Sequence, residues 1–497
     1  MISPARRWSL LAVVSSALLL IALDNTVLYT ALPTLIEELG ASTSQALWIM
    51  NAYPVVMAGL LLGAGTLGDR LGHVLMFRIG LVIFGLASLV AAYAPGTGTL
   101  ISARALLAVG AASMMPATLA LIRVTFEDVR ERNLAIAVWG SVAVVGAALG
   151  PILGGALLEV FWWGSVFLIN VPVVVIALIG TFLIAPPDRV DGDQQWDLMS
   201  SLLAMAGLVS VVITIKEFAS LPPSWTTVAI AAAVAIVSLA TFVRRQLRLT
   251  YPLLDFTIFR NKAFSAGVLA AALTMFVLGG LQLVTTQRFQ LVEGFSPLQS
   301  GLLVTAVALG SAPTALLAGG FLHRVGLRLL IAGGLAVTTI GLVLAVLTFD
   351  RALPAFVAAL VVLGLGLGSV MGVASTAIVG NAPAHRAGMA SSVEEVSYEF
   401  GNLTAVAFIG SLVALIYTAT LSLPAGTPPE AGDSLAATLL YAHGDQELVD
   451  HARAAFDHAY TVVLIVIAAV AAIGTVVTRA LLREHGAGAP ASAHPHH

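Results

Sequence analysis

Long apolar segments recur along the whole chain and are separated by short polar stretches. Most are close to the roughly 20 residues that an α-helix needs to cross the hydrocarbon core of a bilayer. The pattern therefore predicts an all-α integral membrane protein with about fourteen transmembrane helices. The segments lie at about residues 9–31, 46–68, 77–95, 99–121, 136–157, 164–184, 197–217, 226–243, 264–287, 298–322, 328–348, 353–376, 390–416 and 459–482.

Composition agrees with this pattern. Hydrophobic residues make up 59% of the 497 and charged residues only 10%, whereas about a quarter of the residues in a soluble protein are charged. The chain has no cysteine, which excludes disulfides, thiol nucleophiles and thiolate metal sites. Arg6 and Arg7 precede the first apolar run, as in a signal peptide. However, the run continues to about Thr30 without a small-residue cleavage site, so we interpret it as a retained membrane helix.

Basic residues concentrate in alternate loops. By the positive-inside rule, these loops and both termini are predicted to be cytoplasmic. The longest opposite loop, at about 417–458, is acidic, and we expect a partly helical hairpin on the outer side. Eighteen of the 23 basic residues follow the rule: Arg6, Arg7, Arg70, Arg78, Arg123, Arg130, Arg132, Arg189, Arg244, Arg245, Arg248, Arg260, Lys262, Arg324, Arg328, Arg386, Arg479 and Arg483.

An internal repeat divides the chain into related halves. The segment "GTLGDRLG" at 65–72 aligns with "GGFLHRVG" at 319–326, 254 positions later. Repeats of this kind are typical of transporters built from two related halves. We therefore predict a six-helix bundle over 1–185, an inserted helix pair with a basic cytoplasmic linker over 186–263, a second six-helix bundle over 264–484 with the long outer loop, and a disordered cytoplasmic tail over 485–497.

Two charges lie inside apolar runs of the first half. Asp24 interrupts the first helix, where an acid at the centre costs roughly 2.5–3.5 kcal/mol on insertion scales. Arg104 lies near the start of the fourth helix. Its side chain could reach the outer interface, but pairing inside the bundle is favoured because arginine is strongly disfavoured facing lipid. Asp24 is a plausible partner.

The thirteenth helix carries three acids. Glu395 and Glu399 are four residues apart and share one face, while Glu394 is turned about 100° away. One interpretation is that the helix begins later, which would leave these acids in water at the cytoplasmic end. The other is a cavity that attracts cations. Because burial disfavours a charged carboxyl group, such a group could hold a proton or an organic cation in turn.

Two glycine-containing motifs indicate either packing or motion. On the loop after the second helix, Gly65, Asp69, Arg70 and Gly72 form a tight turn that could also act as a gate. In the fifth helix, Gly146, Gly150 and Gly154 share one face, with Pro151 and Gly155 beside it, so this segment permits close packing or a bend. Several aromatic side chains could stack on a flat cation, although membrane anchoring and packing explain them equally: Tyr29, Trp48, Tyr53, Trp139 and Tyr398.

Together these segments resemble the fourteen-helix drug:proton antiporters of the major facilitator superfamily, and within it the QacA-, SmvA- and LfrA-like branch of multidrug pumps. The resemblance rests on "LDNTVLYTALPTL", "GTLGDRLG", "ARALLAVGAA", "GAALGPILGGALLEVFWWGSVFLINVPV" and "SYEFG", and it covers nearly the whole chain. Asp24 matches the acid of the family's first helix, and Glu395 and Glu399 match those of its thirteenth. Glu394 is an additional acid. His73 and Val74 stand where the family has a basic pair, with Arg78 as the candidate substitute.

The resemblance implies a major facilitator fold and proton-coupled export of lipophilic cations such as quaternary ammonium compounds, dyes and biguanides from a bacterial inner membrane. The alternatives are a lipid or amphiphile exporter of the same fold and a membrane sensor or assembly factor that has kept the fold without turnover. We see no nucleotide-binding loop, metal-ligand cluster or nucleophile arrangement, so we expect no enzymatic activity, no cofactor and no nucleic-acid partner. The two-half architecture is compatible with a functional monomer.

Overall fold

The structure is a computed structural model that describes residues 3–126, 128–188, 197–218, 223–249, 252–382, 387–423, 432–442 and 445–486. Within these ranges the backbone is almost entirely helical and contains no β-strand. The prediction of an all-α chain is therefore confirmed. The chain divides into two compact units. The first comprises Met1–Ala206 with Ser296–Gly301, and the second comprises Gly207–Phe295 with Leu302–His497.

Sixteen α-helices lie in the described ranges. They are α1 (Pro4–Leu39), α2 (Thr43–Leu71), α3 (His73–Ala92), α4 (Thr97–Thr125), α5 (Val129–Val160), α6 (Ser165–Leu168), α7 (Asn170–Ile184), α8 (Leu198–Phe218), α9 (Trp225–Gln246), α10 (Lys262–Leu291), α11 (Pro297–Val325), α12 (Gly334–Thr348), α13 (Leu353–Ile378), α14 (Ala387–Thr420), α15 (Leu435–Tyr441) and α16 (Gln446–Leu481). Short 3₁₀ segments at Phe256–Arg260 and Val379–Asn381 and a π-turn at Leu329–Gly333 join some of them.

Twelve helical segments of the described chain are long and apolar enough to cross a membrane. Three of these segments combine adjoining elements: α6 with α7, the π-turn with α12, and α13 with the 3₁₀ segment Val379–Asn381. Helices α2 and α5 are not among the twelve, although at 29 and 32 residues they are long enough to span a bilayer. The chain is thus a multi-pass membrane protein, and the predicted count of fourteen helices is approximate.

The turns of the two halves repeat at the same spacing as the sequence motifs. Four glycines in the described ranges have positive φ, and they fall into two pairs 254 positions apart: Gly40 (58°) with Gly294 (70°), and Gly72 (101°) with Gly326 (81°). The starts of α2 and α11 repeat as well. Ser42 and Gln45 hydrogen-bond to each other's backbone amides, and Ser296 and Gln299 do the same. Both helices are 29 residues long.

The acidic segment before the last helix differs from the prediction. We expected a separate, partly helical hairpin over about 417–458. Instead α14 continues to Thr420, and α16 runs without a break from Gln446 to Leu481. The residues around 446–458 are therefore the first turns of the last helix, and only the seven-residue α15 is a separate element. Parts of the predicted loop, 424–431 and 443–444, and most of the predicted tail, 487–497, lie outside the described residues.

Candidate functional site

The first unit contains a charged pair inside its helical bundle. Asp24 of α1 and Arg104 of α4 form a salt bridge between Oδ2 and Nη1, and each side chain is only 1% exposed. The Arg104 Nε also donates to the Ile49 carbonyl at 3.3 Å. The guanidinium lies over the Tyr53 ring, 4.8 Å from its centroid. Arg104 thus pairs within the bundle, with the partner that the sequence suggested, and does not extend to the interface.

Two neutral side chains complete the surroundings of this pair. Nδ2 of Asn170, the first residue of α7, donates to Asp24 Oδ1 at 3.3 Å and to Ser88 Oγ of α3 at 3.2 Å. Asn170 and Ser88 are both buried. Asn170 lies within the segment "FLINVPV", whose pattern predicts no role for it. An amide in so apolar a run was the signal available, because a buried polar group needs a partner.

The glycines of α5 explain how α1 is packed. A Cβ added to Gly146 would lie 2.8 Å from the Cβ of Ala22, and one added to Gly154 would lie 3.0 Å from Val27 Cγ1. Gly150 faces the same helix, against Thr26. A Cβ added to Gly155 would instead meet Pro297 and Leu298 at the start of α11. The packing interpretation is supported at these positions, while a bend at Pro151 remains a prediction.

The turn between α2 and α3 has a partner far along the chain. Gly72 occupies the turn, and the Asp188 carboxylate accepts hydrogen bonds from the backbone amides of Val74 at 2.8 Å and Leu75 at 3.0 Å. Arg70 is exposed at the end of α2. Gly65 and Asp69 also belong to α2, but their side chains are outside the described part of the structure. A gate function of this motif remains a prediction.

Arg78 links α3 to α7. Its Nη2 donates to the Thr181 carbonyl at 2.9 Å, and its guanidinium lies 4.1 Å from the centroid of the Phe182 ring. The carbonyl lies in the last turn of α7, where a cation is favourable because the end of a helix carries partial negative charge. The proposal that Arg78 replaces the missing basic pair of the turn motif is not tested by this contact.

The three acids of α14 lie in the second unit. The helix begins at Ala387, so these acids are well inside it, which argues against the interpretation that the helix begins later. Glu394 is buried, accepts a hydrogen bond from the Tyr398 hydroxyl at 3.4 Å and is also bonded by Ser375 of α13. Glu395 and Glu399 are half-buried. Three carboxyl groups thus lie within one helix of the second unit.

The proposed substrate aromatics are in different situations. Tyr53 already has a cation, Arg104, over its face, and the hydroxyl of Tyr398 is bonded to Glu394. Tyr29 and Trp139 are both buried, at 3% and 9% exposure. A substrate-binding role for these four residues remains a prediction.

A second buried cation, Arg288, is not indicated by any pattern in the sequence. Arg288 near the end of α10 is 2% exposed, and its guanidinium pairs with Asp457 of α16 at 2.8 Å and with Glu293 at 2.9 Å. Three aromatic rings surround it, with centroids 4.8–5.8 Å from its Cζ: Phe289, Phe349 and Tyr460. Arg288 and Asp457 are 169 positions apart, a distance at which sequence spacing gives no signal.

A bundle of apolar spans with charges paired in its interior defines a multi-pass membrane protein of the transporter type. The family model of the Major Facilitator Superfamily matches residues 14–292, and that of the sugar (and other) transporters matches residues 205–420. The chain belongs to the Major Facilitator Superfamily.

Full-length relatives and solved structures agree with this assignment. The chain is 38% identical to the multidrug efflux pump LfrA of Mycolicibacterium smegmatis, over 96% of this chain and 97% of that protein. It is 35% identical to the methyl viologen resistance protein SmvA of Salmonella typhimurium, over 92% and 95%. Its fold is similar to that of a bacterial homologue of the human lysosomal transporter Spinster, with a TM-score of 0.67, 16% identity, and coverage of 97% of this chain and 98% of that chain.

Proposed function

We propose that this protein is a proton-coupled multidrug antiporter that exports lipophilic organic cations by alternating access. The observation that carries the proposal is the buried pair of Asp24 and Arg104, which places an ionisable acid against a fixed cation inside a membrane bundle. The relatives support the choice of cargo, since one is named for multidrug efflux and the other for resistance to methyl viologen, an organic dication.

Asp24 can couple proton movement to conformation because its charge is balanced by one partner. With Asp24 ionised, the pair is neutral and each charge is compensated. When a proton neutralises Asp24, the guanidinium of Arg104 remains buried without a counter-charge, which costs several kcal/mol. This cost favours a rearrangement of the surrounding helices that provides Arg104 with another partner or with water. Protonation of Asp24 thus changes which arrangement of the helices is favoured.

The acids of α14 supply the cation site of the proposal. Glu394, Glu395 and Glu399 place three carboxyl groups within one helix, and intramembrane acids generally face a bundle interior or water. An organic cation that binds there competes with protons for the same carboxylates, which links the two fluxes. We place the protein in a bacterial inner membrane as a monomer, with both termini in the cytoplasm.

The test is ethidium efflux from proteoliposomes, measured with and without an imposed pH gradient. We expect gradient-driven efflux in wild type, and loss of it in Asp24→Asn and in Glu399→Gln. Glu447→Gln, at an exposed acid at the start of α16, is the matched control and should keep the wild-type rate. Wild-type transport that ignores both substitutions and the gradient would contradict cation antiport. Transport of an amphiphile that survives loss of the α14 acids would favour the lipid exporter.

A further inference from the structure

Asn170 donates a hydrogen bond to the carboxylate oxygen of Asp24 that does not pair with Arg104. Arg104 binds Oδ2, and the Asn170 amide donates to Oδ1 at 3.3 Å. The Asn170 side chain is not used to cap its own helix, since no side-chain cap hydrogen bond exists at the start of α7. Its carbonyl oxygen Oδ1 is buried and has no hydrogen-bond partner among the described residues. An acceptor therefore remains available next to the acid.

Asn170 and Ser88 can both change their hydrogen bonds when Asp24 gains a proton. An ionised carboxylate only accepts hydrogen bonds, whereas a protonated one donates one. A side-chain amide has a donating and an accepting end, so a half-turn of the amide replaces NH₂ by C=O at the same place. The Ser88 hydroxyl also both donates and accepts. It now accepts from Nδ2 at 3.2 Å and could donate to Oδ1 after the turn.

We propose that Asn170 is a positioning residue that keeps Asp24 hydrogen-bonded in both protonation states. This inference rests on the proposed proton antiport. In the ionised state, Asn170 Nδ2 donates to Asp24 Oδ1. A hydronium ion transfers its proton to that oxygen: one O–H bond of the hydronium breaks, a water molecule leaves, and a carboxyl O–H bond forms. The amide then turns, its Oδ1 accepts from the new hydroxyl, and the Ser88 hydroxyl donates to the amide instead of accepting from it. The net charge of the Asp24–Arg104 pair rises from zero to plus one.

The charges around Asp24 make a neutral partner advantageous. Among the side chains that the structure describes, the ionisable groups that face Asp24 are Arg104 from α4 and the Tyr53 phenol from α2, whose ring lies against the guanidinium. Helix α5 contributes the glycine face described above. Since Asn170 carries no charge and takes no proton, it stabilises either state of Asp24 without competing for the proton. Protonation then strains only the pairing with Arg104.

Two substitutions at position 170 separate this role from packing. Asn170→Leu keeps the size of the side chain but removes both donor and acceptor. Asn170→Ser leaves a gap but keeps a group that donates and accepts. We expect Asn170→Leu to lower the rate of gradient-driven ethidium efflux by at least about tenfold and to displace the midpoint of its pH profile. Asn170→Ser should retain a larger fraction of the rate, with a midpoint near that of wild type. A packing role predicts the opposite order.

Further measurements make the result unambiguous. Melting temperatures in detergent identify a variant that fails to fold, and Ser88→Ala should reduce the rate less than Asn170→Leu because Asp24 keeps its amide. If wild type exchanges ethidium for protons, Asp24→Asn abolishes exchange, and Asn170→Leu has the wild-type rate and pH profile, the inference about Asn170 is wrong while the antiport stands. If wild type shows no gradient-driven exchange, the proposed function itself fails.

Discussion

At the scale of single residues, the buried charges should dominate stability because each depends on its partner. Removing one member of a buried pair leaves an uncompensated charge, which costs about 3–5 kcal/mol, whereas replacing both by apolar residues is often close to neutral. Asp24 and Arg104 meet this condition, since each is 1% exposed.

We therefore predict that Asp24→Leu alone lowers the free energy of unfolding by about 3–5 kcal/mol. The double variant Asp24→Leu/Arg104→Leu should recover most of that loss while remaining unable to couple transport to protons. Thermal unfolding in detergent measures the first effect and the proteoliposome assay the second. If the double variant were less stable than Asp24→Leu, the cost of the single substitution could not come from the uncompensated charge of Arg104.

Arg288 differs from Arg104 in that it forms salt bridges with two acids. Asp457 and Glu293 are 34% and 42% exposed, so water can solvate either one, but the guanidinium at 2% exposure cannot be solvated in the same way. Asp457→Asn and Glu293→Gln should each lower the melting temperature little, because the other acid remains. The double variant should lower it by clearly more than the sum of the two single effects. Additive effects in this double-mutant cycle would contradict a shared partner.

At the scale of elements, the turn after α2 combines backbone strain with a close side-chain contact. Gly72 has a positive φ of 101°, a conformation in which a side chain costs about 1–3 kcal/mol. A Cβ at Gly72 would also collide with the carboxylate oxygens of Asp188, at 2.6–2.7 Å. Gly72→Ala should therefore lower the melting temperature by more than backbone strain alone would.

The contact part of this effect should disappear when Asp188 is replaced. In an Asp188→Ala background, Gly72→Ala should lower the melting temperature less than it does in wild type, because only backbone strain remains at the turn. Asp188→Ala alone should also lower stability, since the first amides of α3 lose the carboxylate that accepts from them. An equal effect of Gly72→Ala in both backgrounds would place the cost elsewhere than in the Asp188 contact.

The sequence predicted those parts of the site in which a charge lies in an apolar run. Arg104 and Asp24 were recognised because neither charge is tolerated facing lipid, and a common interior position follows from that. Asn170 and Ser88 were missed because a neutral polar residue costs less to insert into a membrane than a charged one, and because its type does not indicate which residue it pairs with. Asp188 was missed because its contacts are with backbone amides, which any sequence provides.

Element boundaries were predicted where hydrophobicity changes and missed where it does not determine structure. The repeated turns were visible because glycine and the capping residues specify them locally. The start of α16 was placed too late because "QELVDHARAAFDH" is polar, although its residues favour helix and its partner Arg288 is distant in sequence. Apolar length alone cannot show that a membrane helix continues beyond its apolar part.

At the scale of the whole molecule, the absence of cysteine permits a direct test of orientation. Single cysteines at Arg248 and Glu484 should be protected from a membrane-impermeant maleimide in intact cells, and those at Gly98 and Glu447 should react. The reason is that basic loops remain on the cytoplasmic side. All four positions are exposed. Labelling of Arg248→Cys and Glu447→Cys from the same side would contradict the predicted topology.

The paired turns separate what the two halves share from what they do not. Gly40 and Ser42 recur 254 positions later as Gly294 and Ser296, yet the positions at the same spacing from Asp24 and Arg104 are Leu278 and Ala358. The halves thus have the same neutral cap before α2 and α11, but an ionisable pair stands at these positions in the first half only. Because this cap is local and uncharged, variants that remove the pair leave the signals that begin both helices unchanged.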